Sequence, residues 1–214
     1  MNPSRSDEAP EFPRNREGGI LGIRDFFTKR AKEEVVGTKV LVATLDRKFM
    51  QLVKIDGDCY SRFYPASTMT VFESVEQLLE AIAKGYDILH LFCDVSPEGS
   101  ITDERGNRAA GIGLIQSCCD SDVKMLWIAS ENKPEGYMKG FKAATSKPLN
   151  LVLTIDRKGS KFGDFLDKLL LKMSAGETIP SAWVSLSPQN SNDPRNQAAP
   201  ACIFAAGRGA VRLR

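Results

Sequence analysis

The sequence predicts an α/β sandwich with a mostly parallel central sheet flanked by helices. Two observations carry that prediction. Apolar, β-branched runs of strand length alternate along the chain with amphipathic runs of helix length. The 214 residues, 42% hydrophobic and 26% charged, have an ordinary globular balance and enough length to bury a core without staples.

Residues 1–19 are polar, with Pro3, Pro10 and Pro13 among mixed charges. They bury too little apolar surface to offset ordering entropy and read as a flexible tail. Residues 20–38 read as a short helical segment on Ile20, Ile23, Phe26 and Phe27, with Lys29, Arg30 and Lys32 on its wet side. The domain proper is expected over 39–214. Residues 39–44 read as a first core strand, and 50–55 as a second that ends at a turn around Gly57. The clearest helix lies between Val71 and Gly85, where Val75, Leu78, Leu79 and Ile82 fall on one face. Ser74 is its expected N-cap and Gly85 its stop.

A central strand, 86–93, follows at once, and then a turn-rich loop over 94–108 with Pro97, Gly99, Asp103 and Gly106. Residues 109–118 suggest a short helix. Residues 123–129 form a further core strand ending in the polar cluster Ser130, Glu131, Asn132. Tyr137, Met138, Phe141 and Lys142 mark the next helix, and 149–155 the next strand. Phe162, Phe165, Leu166, Leu169, Leu170 and Met173 give a long amphipathic helix that stops near Gly176. Residues 183–186 read as a short strand or turn, 187–200 as a surface loop and 201–206 as a last strand. A basic end with Arg208, Arg212 and Arg214 closes the chain.

Composition excludes several function classes. A net charge of +2 gives no global field for nucleic acid or membrane. The C-terminal arginines have no interleaved aromatics and read as solvated. No apolar run approaches the roughly 18 residues of a membrane span, and no apolar h-region opens the chain, so a cytoplasmic protein is expected. Of the five cysteines, Cys93, Cys118, Cys119 and Cys202 read as reduced, packed thiols. One histidine and no Cys-x-x-Cys pair leave no expected metal site. Gly111-x-Gly113 lacks the third glycine and the preceding strand of a dinucleotide loop. No Walker loop and no Gly-x-Ser-x-Gly elbow occur, and no cofactor is expected.

Sites in such sheets lie at the carboxyl ends of the strands, which brings Asp94 and Ser130 together. His90, the sole histidine, falls in mid-strand and reads as a structural core residue rather than a base. The segment with Asp94, Glu98, Asp103 and Glu104 is either a solvated acidic loop or a rim for a basic ligand group.

Residues 86–95 and 123–132, taken together, resemble the two signature strands of the CHAT domains, the caspase-like, separase-related cysteine peptidases of bacteria. In that family the first strand runs Tyr-Asp-hydrophobic-Leu-His-Phe-Ala-Cys-His-Gly, and its second histidine is the catalytic base. Tyr86, Asp87, Leu89, His90 and Cys93 match, but Asp94 stands at the base's place and Val95 at the glycine's. The second family strand ends Ser-Ala-Cys-Glu-Thr around the nucleophilic cysteine. Here Ala129 and Glu131 flank Ser130 at the nucleophile's place, and a one-residue slip would put Glu131 there. The resemblance continues through 136–144, 149–155, 162–176 and 200–214, and covers the chain from about residue 39 onward.

The resemblance implies a caspase-like three-layer sandwich. It also implies loss of the chemistry, because a cysteine peptidase needs a thiolate beside an imidazole. A serine hydroxyl with an aspartate whose ordinary pKa is near 4 makes little nucleophile at neutral pH. Cys93 should point to the opposite face from Asp94. The expected function is thus a pseudo-peptidase that binds a protein partner, a peptide segment or an effector subunit. Family analogy extends this to a regulatory subunit in bacterial defence or cell death. The cleft residues would be Asp94, Asp103, Ser130, Glu131 and Asn132. The alternatives are a serine-type hydrolase using Ser130, or a small-molecule sensor at the same strand ends.

Overall fold

A computed structural model describes residues 38–141, 147–190, 192–207 and 211–213. Expectations for 1–19, for 20–38 apart from Thr38, for Lys142, and for Arg208 and Arg214 lie outside the described residues. The six-stranded sheet consists of β1 (Val40–Thr44), β2 (Ser67–Val71), β3 (Ile88–Phe92), β7 (Met125–Ile128), β8 (Asn150–Asp156) and β9 (Ala201–Ala206). Their order is β2-β1-β3-β7-β8-β9. All neighbouring pairs are parallel except β8 with β9. Three short strands, β4 (Asp94–Val95), β5 (Ser100–Thr102) and β6 (Arg108–Ala110), form a separate antiparallel sheet just beyond the end of β3.

Alternation along the buried strands sorts the core into two clusters. One cluster takes Val40, Val42, Ile88, Phe92, Met125, Trp127 and Val152. It packs them against α1 (Met50–Phe63), α5 (Phe162–Ser174) and α6 (Ile179–Leu186). The other takes Leu41, Ala43, Leu89, Leu91, Cys93, Leu126, Ile128 and Leu153. Its helices are α2 (Val75–Ile82), α3 (Gly111–Asp120) and α4 (Pro134–Gly140). Burying apolar side chains on both faces is what a parallel sheet requires of its crossover helices. Among the described residues no helix is long and apolar enough to cross a membrane.

Several expectations need correction. Residues 50–55 are the start of a 14-residue helix, α1, not a strand. The buried positions Val53, Asp56, Gly57 and Tyr60 lie at i, i+3, i+4 and i+7, a helical face whose polar and glycine members hide its period. Gly57 is not a turn: a Cβ there would lie 2.2 Å from the Met69 sulfur, so the missing side chain lets β2 approach the helix. Strand β2, half exposed at the sheet edge, has no apolar run to announce it. The 94–108 loop contains β4, β5 and part of the small sheet rather than turns alone. Residues 183–186 belong to helix α6, capped by Thr178 with Pro180 in its first turn.

Glycines at i and i+4 shape α4. A Cβ on Gly140 would lie 1.9 Å from the Gly99 carbonyl oxygen, and one on Gly136 2.5 Å from that of Ser96. The helix therefore accepts the backbone of the β4–β5 turn directly onto its surface. Gly99 sits at φ +87°, in the left-handed region that favours glycine. Gly140→Ala should destabilise the fold by about 1–3 kcal/mol, the range for overpacking. Gly113→Ala, with open space at its Cβ inside α3, should stabilise by about 0.5–1 kcal/mol. Urea denaturation of both variants checks the pair.

Candidate functional site

The register of β3 on β7 pairs Leu91 with Ile128, so both strands end side by side. Residues 93–94 and 130–132 thus share one carboxyl edge. Their side chains differ in exposure, Asp94 and Glu131 being exposed and Ser130 buried. Ser130 is 1% exposed. Its Oγ donates to the Cys93 carbonyl at 2.6 Å and accepts the Cys93 N–H at 3.0 Å. One hydroxyl thereby satisfies both backbone groups of a residue on the adjacent strand, just past the last ladder pair.

Asn132 completes the closure. Its Oδ1 accepts the Val95 N–H at 2.8 Å. Its Nδ2 faces the Cys93 carbonyl at 3.1 Å and the Tyr137 hydroxyl at 3.0 Å. The Tyr137 hydroxyl in turn reaches the carbonyls of Ser130 and Thr154 at 3.2 and 3.1 Å. Burial pushes the Tyr137 phenol up, so it stays a neutral donor. These side chains replace the hydrogen bonds that the strands lose where the ladder stops.

The remaining cleft candidates separate. Asp94 is exposed, and its carboxylate pairs with Lys48. Glu131 is exposed and accepts the Arg157 N–H at 3.0 Å. Asp103 is buried and organises a turn, accepting the N–H groups of Arg105 and Asn107 at 3.0 and 2.9 Å and the Asn107 side-chain amide at 3.0 Å. Burial alone would raise its carboxyl, but these donors outweigh burial and hold it below the usual range. It is a turn organiser rather than part of the strand-end cluster. Cys93 is fully buried in the cluster opposite the α1 face, and burial pushes its thiol up. Cys59 is pushed up to about 11 and Cys202 to about 12, again chiefly by burial. None of the five cysteines is in a disulfide.

A second polar network lies on the α1 face of the same strands, and of its four members the sequence reading named only His90. Asp56 of α1 is fully buried. Arg157, just beyond β8, grips its carboxylate through both terminal nitrogens, at 2.9 and 2.5 Å. His90 Nε2 lies 2.8 Å from the same carboxylate, and Nδ1 lies 3.0 Å from the Tyr60 hydroxyl. Desolvation dominates the imidazole and lowers its pKa. A neutral ring donating from Nε2 to Asp56 and accepting from Tyr60 at Nδ1 satisfies every group. Burial also disfavours the Asp56 anion, but the bonds from His90 and Arg157 outweigh it and lower its pKa. The Arg157 guanidinium stacks 3.9 Å over the Phe162 ring and lies 5.3 Å from Phe92. His90 is ringed by Tyr60, Phe92 and Trp127, with centroids 5.0–5.3 Å away.

Neither network holds a nucleophile beside a free base. Ser130 touches backbone groups and a neutral amide, none of which takes a proton at neutral pH. The buried His90 is on the opposite face of the sheet, engaged through both nitrogens.

Two outcomes follow. Asp56→Asn, which leaves Arg157 buried without its counter-charge, should cost about 3–5 kcal/mol in denaturant unfolding. The pH dependence has a definite sign. A pKa lower in the folded state than in the unfolded chain gives stability that is complete above the unfolded value and lost as pH falls. For His90 the loss begins below its ordinary 6.5, and for Asp56 below 3.8. Since His90 is the only histidine, stability should fall with acidification over roughly pH 7 to 5, and His90→Gln should flatten that slope. Comparison of the chain with protein-family models and with curated proteins returns no match.

Proposed function

We propose that the chain is a catalytically inactive, caspase-like module of the CHAT type that acts by binding a protein partner. Support for the family reading comes from the pairing of β3 with β7. The two segments that resemble the signature strands are hydrogen-bonded parallel neighbours in a mostly parallel sheet between two layers of helices. Positions 94 and 130, where the family keeps its base and nucleophile, follow just beyond the ends of β3 and β7.

The observation that carries the inactivity is the state of Ser130. Its hydroxyl proton is committed to the Cys93 carbonyl at 2.6 Å, and the side chain is buried. An activated serine needs a base that accepts that proton and an open approach for substrate. Ser130 has neither, which argues against the serine-hydrolase alternative. What the strand ends offer to a partner is a charged rim, with Lys48, Asp94 and Glu131 exposed. The outer edges of β2 and β9 pair with no other strand among the described residues, and such edges accept an added strand from a peptide. By family analogy the partner is an effector in a bacterial defence or cell-death complex.

A fluorophosphonate probe and a peptide library test the inactivity directly. The folded protein should show neither labelling nor cleavage. Ser130→Ala should lose about 1–3 kcal/mol of stability through the unsatisfied Cys93 backbone groups. Labelling or cleavage that disappears in Ser130→Ala would overturn the reading.

A further inference from the structure

A pocket of about 480 Å³ opens between the first turns of α5, the end of α6 and the 194–199 segment that leads into β9. That volume lies in the range of small-molecule sites, about 300–1,000 Å³. None of its lining residues belongs to the Ser130 or Asp56 networks. Its floor includes Phe165, 3% exposed, and Leu186. The Phe165 ring packs edge-on against Trp183 at 4.9 Å.

The walls are cationic. Lys161 and Lys168 line one side with Asp164 between them, and Arg195 lines the other. Residues 161, 164, 165 and 168 recur at the spacing of one helix face, so all four present to the same space. Arg195 is fixed in place: Nε and Nη2 bond Asp193, and Nη1 donates to the Ser185 carbonyl at 2.9 Å. A guanidinium has five N–H donors, so this fork keeps unused ones. Lys161 reaches Gln197 at 2.8 Å and ties the two walls together at one end. The exposed Lys168 makes no hydrogen bond or ion pair among the described residues. Three cations face Asp164 and, behind Arg195, Asp193. One net positive charge remains above an aromatic floor.

We infer that this pocket binds a small organic monoanion with an apolar or aromatic body. The anionic head meets Lys168 and the open donors of Arg195, and the body lies on Phe165. Asp164 disfavours a second negative charge in the same head group. Strand pairing and the Ser130 network play no part, so the site stands or falls separately from the pseudo-peptidase reading.

Phenylacetate is the probe, with phenylacetamide as its uncharged isostere and phenyl phosphate as a dianion. Trp183 supplies the emission signal through its contact with Phe165, and the melting temperature supplies a second readout. Phenylacetate should give a saturable emission change and a rise in melting temperature. Phenylacetamide and phenyl phosphate should bind about tenfold or more weakly. Lys168→Glu and Lys168→Met should weaken phenylacetate by about tenfold or more while keeping the parent melting temperature without ligand, since Lys168 is exposed. Absence of a saturable response to phenylacetate overturns the inference. So does equal binding of phenylacetamide, or undiminished binding by either Lys168 variant.

Discussion

The interaction on which the rest of the structure depends is the buried carboxylate of Asp56. An anion without water needs a counter-charge and a full set of donors. Meeting that need fixes elements far apart in sequence. Asp56 must lie on the inner face of α1, which sets the helix rotation and turns Tyr60 toward β3. His90 must donate from Nε2, which fixes its tautomer and leaves Nδ1 for Tyr60. Arg157 must turn back beneath the sheet end as soon as β8 finishes, and Phe162 and Phe92 pack around its guanidinium. One charge thereby locks α1, β3 and the β8–α5 connection into a single arrangement.

The Ser130 cluster does the corresponding work on the other face of the same strands. There the need is backbone satisfaction where parallel pairing ends. Ser130 serves Cys93, Asn132 serves Val95, and Tyr137 reaches across from α4. The glycine face of α4 seats the β4–β5 turn over the same end. In a sheet of this kind the carboxyl ends are where loops diverge and a site opens. Here they are stitched shut by short polar side chains. On the proposed reading, residues that stand where catalysis once required reach and exposure now serve cohesion instead.

Most of the sheet was legible in the sequence because its strands read as largely apolar runs, and β1, β3, β7 and most of β8 are buried on both faces. Residues 201–206 were read at their observed bounds, and 149–155 differ from β8 by one residue at each end. The α2 helix was readable from Val75, Leu78 and Ile82 together with its Ser74 cap. What failed has a physical cause in each case. In α1 the buried face includes Asp56 and Gly57, which hydropathy scores as solvent and turn, so the period vanished. In β2 the edge position leaves half-exposed residues and no apolar signal. The pairing of Asp56 with Arg157 spans 101 residues of sequence, and nothing local marks either partner. The strand-end cluster was found, because carboxyl ends of parallel strands are predictable places. Its character was not, because whether a serine is exposed or saturated depends on the backbone of the neighbouring strand.

The central claim is that the 93–95 and 130–132 strand ends form a closed structural tie. Amide hydrogen exchange at Cys93 and Val95 measures it most directly, because side-chain acceptors, and not a strand partner, hold those two N–H groups. The account predicts protection of both amides at the level of the core of β3, lost at Cys93 in Ser130→Ala and at Val95 in Asn132→Ala. Exchange of Cys93 and Val95 at loop-like rates in the unaltered protein would contradict it, since the edge would then be open and Ser130 available for chemistry.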